Sequence, residues 1–170
     1  GIESDMSEAA QWFQRASDCG NVGACGYLAH MIAFGEGGLK KDEARATQLV
    51  ESGLETWERQ ASEGLASACY RLGWCHHQGI GMGKNPLKAA ELYQRAAIQG
   101  HAEAQNTLAI CYATGCGVTK DMSHAVEWLH RAADQCHAAA HNLARHYENG
   151  RGVEKDSVQA HQLYRRAADQ

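Results

Sequence analysis

A chain of 170 residues with net charge −4 and a pI near 6.2 carries no basic excess of the kind that nucleic-acid binding requires. It has 18 glycines, one proline, and no run of about 18 apolar residues that could cross a bilayer. That composition suits helices punctuated by glycine turns, within a length that one domain can account for.

Residues 4–20 predict one amphipathic helix with Ala9, Trp12, Phe13 and Ala16 on one face. Asp5 is its expected N-cap, with Glu8 three residues on in a capping-box position. The adjacent aromatics have no preceding helix to pack on, which predicts either an end cap or the loss of upstream repeats. The opening Gly1-Ile2-Glu3 lacks an initiator methionine and predicts that a natural N-terminus has been removed. No signal-peptide pattern is present.

Residues 21–64 predict a helix pair. Ala24, Leu28 and Ala29 mark the first helix, Gly35-Glu36-Gly37-Gly38-Leu39 the turn, and Asp42 the start of the second. That second helix runs to Gly64, seven residues longer than the spacing in 85–100 and 121–136. Seven residues are nearly two helical turns, so the face Ala46, Leu49, Val50, Leu54, Trp57, Ala61 drifts by only about 20°. The added length is expected to be a structural extension, or alternatively a lip around Trp57 for a partner. Gly53 within it is an expected weak point, about 1 kcal/mol worse than alanine.

Residues 65–100 repeat the pair: Ala68, Leu72 and Gly73, then Gly79-Ile80-Gly81, then Asn85-Pro86, a good cap and first helical residue. Residues 101–136 repeat it with Ala104, Leu108, Ala109 and Tyr112, Gly115-Cys116-Gly117-Val118, Asp121, Ala125, Trp128, Leu129, Ala132 and Ala133. Residues 137–170 repeat it with Ala139, Leu143, Ala144 and Tyr147, Gly150-Arg151-Gly152-Val153, Asp156, Ala160, Leu163, Ala167 and Ala168. Ala109 and Ala144 stand where Gly73 does, at the expected close approach of the two helices. Asp5, Asp42, Asn85, Asp121 and Asp156 are 37, 43, 36 and 35 residues apart, the signature of a repeat architecture.

The unit A-x-x-x-L-G-x-x-Y-x-x-G-x-G-V-x-x-D, followed by a helix ending A-A-x-x-G, resembles the Sel-one-like repeat (SLR), a relative of the tetratricopeptide repeat. The resemblance covers nearly the whole chain. It implies an all-α fold, a right-handed α-solenoid of antiparallel helix pairs, with about four repeats plus an N-terminal single helix. The expected organisation is one solenoid domain over 1–170, with units 4–20 (second helix only), 21–64, 65–100, 101–136 and 137–170. It further implies a non-catalytic adaptor or scaffold that holds a protein or peptide in its concave groove. Family roles include regulators and immunity proteins that neutralise an effector.

The seven cysteines, 19, 25, 69, 75, 111, 116 and 136, are an odd number and predict no disulfide framework. A cysteine-rich branch of the family bridges the residue after the repeat's alanine to the second alanine of the preceding pair. Here the partners of Cys25 and Cys69 are expected at Ser17 and Ser62, so those bridges cannot form. The thiols are expected to be small apolar packers. Cys19 with Cys25 is the candidate for a local bridge, and Cys116 the expected most exposed thiol. Unpaired cysteines favour a cytoplasmic location, while a removed signal would allow a periplasmic, secreted or lumenal one.

His137 and His141 share a helical face, but no H-E-x-x-H or C-x-x-C accompanies them, so no metal and no cofactor is expected. The Gly-x-Gly turns follow helices rather than strands, which excludes a phosphate-binding loop reading. No G-x-S-x-G elbow occurs either. Some members of the cysteine-rich branch bind or hydrolyse penicillin, which makes a cell-wall or β-lactam-processing enzyme the alternative. A third reading is an architectural segment of a longer array, or a homo-oligomer.

In tetratricopeptide-like superhelices the first helix of each pair lines the concave surface. With leucine, glycine or alanine, and tyrosine turned to the core, groove positions fall two before, two after, and five or six after the leucine. This predicts Tyr70, Trp74, His77 and Gln78 in the second pair, and His30, Ala33 and Phe34 in the first. It predicts Asn106 and Ile110 in the third, and His141, Arg145, Glu148 and Asn149 in the fourth. Trp74 is about 200° around from Leu72 and is the expected anchor, continuous with Tyr70 and His77.

Overall fold

The computed structural model describes residues 2–169; positions 1 and 170, the outer ends of the expected solenoid domain, lie outside it. Among the described residues there are nine helices and no strand. They are α1 (Ile2–Asp18), α2 (Val22–Phe34), α3 (Glu43–Ser62), α4 (Ala66–Gln78), α5 (Pro86–Ile98), α6 (Ala102–Thr114), α7 (Met122–Ala132), α8 (His137–Asn149) and α9 (Ser157–Asp169). Each helix packs mainly on its neighbours in sequence, as in an all-α solenoid. The first helices of the pairs, α2, α4, α6 and α8, form one layer, in which α6 and α8 also touch each other. The second helices α1, α3, α5, α7 and α9 form the other.

Alanine and leucine at the repeat positions fill the space between the layers. Leu28, Leu108, Leu129 and Leu143 are buried, with Ala46, Ala68, Ala89, Ala104, Ala125 and Ala139. Small residues let helix backbones approach closely. A Cβ on Gly73 would sit 2.8 Å from the Tyr93 ring, whereas Ala109 and Ala144 are buried at the same place in their units.

Each Gly-x-Gly turn divides two tasks. The first glycine (Gly35, Gly79, Gly115, Gly150) caps its helix, donating its backbone N–H to the preceding turn. The second glycine docks on the second helix of the unit before. Gly37 meets Met6 and Ala10 of α1, Gly81 meets Val50 of α3, Gly117 meets Pro86 of α5, and Gly152 meets Met122 of α7. Units therefore stack through glycine as well as through the core. The next helix starts at Asp42, Asn85, Asp121 or Asp156, whose side chains accept from backbone N–H groups of its first turn.

The structure corrects several expectations. Asp5 does not cap α1; it lies inside the helix, which spans Ile2–Asp18. Nor is Trp57 on a lip. It is completely buried, and its Nε1–H donates to the Val22 carbonyl at 3.2 Å. The two extra turns of α3 thus cover the N-terminal half of α2. Gly53 is a packing requirement as well as a weak helix former, because a Cβ there would lie 2.7 Å from the Trp57 ring.

All seven cysteines are free, Cys19 and Cys25 included. Cys25 Sγ lies 3.2 Å from Ser17 Oγ, as its register implies. Cys69 faces the carbonyl of Ala61 rather than Ser62. Gln105 occupies the same place in the next unit, donating to Ala97 O at 3.0 Å. The partner is eight residues upstream in all three, so the connection length sets it. Cys19 is the exposed thiol and Cys116 is only half-exposed, because its turn is pinned to α5 through Gly117.

Candidate functional site

The layer of first helices presents a face on which side chains of successive units meet. Asn142 Nδ2 donates to Asn106 Oδ1 at 3.0 Å between α8 and α6. Between α2 and α4 the contact is aromatic: the Trp74 ring lies 5.2 Å from His30 and 6.5 Å from Phe34.

These rings border a cleft of about 220 Å³. Its walls are Tyr27 and His30 of α2 and Tyr70 and Trp74 of α4, and its floor includes Trp57 and Cys75. Trp74 is half-buried, and Phe34, 49% exposed, stands beside it. Tyr70 stacks on His101, the N-cap of α6, at 4.9 Å. Burial pulls His101 below the ordinary histidine pKa, the Arg71 charge adds to that, and Glu103 opposes it. Burial also raises the Tyr70 phenol.

Three predicted residues, Tyr70, Trp74 and His30, line this cleft, with Phe34 alongside. His77 instead lies 6.3 Å from the buried Tyr93 ring. Desolvation, then Lys84, lowers its pKa, and His77 is not among the residues lining the cleft that holds Trp74. Ala33 is buried, 4% exposed, because it packs between the layers.

Tyr27 and Arg71 are among the lining residues that escape the groove rule, and each directly precedes a core leucine. The local signal for Arg71 is the pair Gly23 and Gly26 on α2. Its Cδ lies 3.0 Å from where a Gly26 Cβ would be, and its Nη2 3.2 Å from that of Gly23. The guanidinium lies 5.7 Å from the centre of the Tyr27 ring, in cation–π range.

A second cleft, of about 260 Å³, opens between α6 and α8 and is bordered by Ile110, Thr114, Met122, Asn142, Arg145 and Arg151. Ile110 and Arg145 are predicted groove residues, and Asn106 holds Asn142 in place. His141 and Glu148 lie against α9: the His141 ring is 5.2 Å from Tyr164, whose hydroxyl donates to Glu148 Oε2 at 2.9 Å. Apart from His77 and Ala33, these predicted residues fall at an aromatic cleft, a cationic cleft and an α8–α9 flank. Among the described residues no three His, Cys, Asp or Glu side chains converge where a metal could be held, and no helix is long and apolar enough to span a membrane.

The Sel1 repeat family model matches residues 1–21, 22–53, 66–101, 102–135 and 137–170. The gap at 54–65 falls on the extended end of α3 and the turn that follows it. Two solved structures share the arrangement. One is c5321, a protective antigen present in uropathogenic Escherichia coli strains and displaying an SLR fold. It is 27% identical with TM-score 0.67, over 94% of this chain and 33% of that one. The other is a Sel1 repeat protein from Oxalobacter formigenes, 29% identical with TM-score 0.66, over 96% of this chain and 64% of that one. The chain therefore spans a third to under two thirds of the length of these structures. No curated protein matches it significantly.

Proposed function

Since the chain belongs to the Sel1 repeat family, whose members are generally protein-interaction scaffolds, we propose that it is a non-catalytic adaptor. It holds a partner protein along the face of α2, α4, α6 and α8, the four helix pairs acting as one interaction surface. The observation that carries this reading is the cleft between α2 and α4. A half-buried tryptophan, two tyrosines and an arginine around one recess are the composition of a binding hot spot.

Affinity capture followed by mass spectrometry, with native and Trp74→Ala chains side by side, tests it. A partner retained by the native chain is then titrated against both. Loss of a hot-spot anchor weakens binding by about 2 kcal/mol or more, over tenfold. Truncating a fully buried tryptophan would instead remove about 3–5 kcal/mol of stability. Trp74→Ala is expected to keep its helical content and cooperative melting while losing the partner. Unchanged affinity would move the site off this face, and general unfolding would make Trp74 a core residue.

A further inference from the structure

The charges on this face point to the chemistry of the partner, an inference that rests on the groove reading above. Neither cleft is lined by an aspartate or a glutamate, yet both contain arginine. The first helices carry two carboxylates, and neither lines a cleft. Glu103 is exposed at the start of α6, and Glu148 accepts from Tyr164. The acidic excess of the chain sits in the other layer, where α3 bears Glu43, Glu51, Glu55 and Glu58 against Arg45 and Arg59.

Arg71 and Arg145 have no carboxylate within ion-pair distance among the described residues. The Arg71 Nε–H is also shielded from solvent and makes no hydrogen bond. A sheltered donor left unmet costs about 1–3 kcal/mol, and a guanidinium fork fits a carboxylate with two parallel bonds. What the cleft does show is an arginine without an ion-pair partner next to an apolar seat.

We infer that the groove takes an extended acidic segment of a partner protein. An aromatic or branched aliphatic side chain sits between Tyr70 and Trp74, and a carboxylate beside it meets Arg71. A second carboxylate further along meets Arg145. The two clefts are two repeats apart along one layer, about 20 Å at roughly 10 Å per helix spacing. An extended chain advances about 3.3 Å per residue, so the two contacts are about six residues apart. A basic segment would face two uncompensated guanidinium groups.

The test is selection of phage-displayed random peptides of about twelve residues, enough to span both clefts, against the intact chain at low salt. Selected peptides are expected to combine Asp or Glu with Trp, Phe or Leu. A fluorescein-labelled selected peptide is expected to bind Trp74→Ala and Arg71→Met at least about tenfold more weakly, and to weaken as salt is raised. Arg71→Met keeps an aliphatic side chain over Gly26, and its circular dichroism is expected to match that of the native chain. Arg145→Gln, at an exposed position, is expected to weaken binding independently. Peptides with no acidic bias that need Trp74 but ignore both arginine variants would overturn the acidic partner and leave the groove reading standing. Acidic peptides indifferent to Trp74→Ala would overturn the groove reading itself, and failure to select any peptide would overturn both.

Discussion

Replacing Gly117 by alanine separates two demands that a glycine turn places on its residues. Gly115 and Gly117 both have left-handed backbones, φ +80° and +73°. Any L-residue there costs about 1–2 kcal/mol from backbone strain. A Cβ at Gly115 would meet nothing closer than Lys120 Cβ at 3.4 Å, an ordinary contact. A Cβ at Gly117 would be driven into the backbone carbonyl of Pro86 and lie 3.1 Å from Ala90 Cβ. The obstacle is the first turn of α5, which cannot move as a flexible side chain would. Overpacking of this kind adds about 1–3 kcal/mol. Gly115→Ala is therefore expected to lose about 1–2 kcal/mol, and Gly117→Ala that amount plus the overpacking. Urea unfolding followed by far-ultraviolet circular dichroism measures both. Because each unit contacts only its neighbours, hydrogen exchange in Gly117→Ala should rise most where 65–100 meets 101–136. Losses for the two variants within about 0.5 kcal/mol of each other would refute the docking role assigned to the second glycine.

The thiols and the histidines give two further tests. With all seven cysteines free, reductant should leave the melting temperature unchanged; a bridge worth about 2–4 kcal/mol would shift it by several degrees. Alkylation followed by mass spectrometry should mark exposed Cys19 first and Cys75 and Cys111 last, burial having pushed those thiols up to about 12 and about 11. His77 and His101 have folded pKa values below the ordinary 6.5, so the unfolded chain takes up protons first as pH falls. Stability should then be full above pH 6.5 and decline below it, with a weak opposite contribution from the exposed His124–Asp121 pair. Melting temperatures from roughly pH 7.5 to 5 should show that decline, shallower in His77→Gln; a rise on acidification would contradict the burial of both rings.

Period and turn chemistry are local properties, and they determined the architecture. Alanine and leucine at helical spacing, glycine pairs and Asp or Asn caps recur with enough regularity to place α2 to α9 and their pairing. The helix-phase argument likewise kept the face of α3 in register through its extra turns. Tertiary structure decided what depends on atoms far apart in the chain. Trp57 became core because Val22, 35 residues away, offers its carbonyl, and Gly53 and Gly26 leave room for the ring. Arg71 entered the aromatic cleft because Gly23 and Gly26, on another helix, have no side chains to exclude it. A groove rule that counts from the core leucine tells which side of a helix a residue occupies. It carries no information about which neighbouring helix supplies the opposite wall, and that wall separates Trp74 in its cleft from His77 against Tyr93.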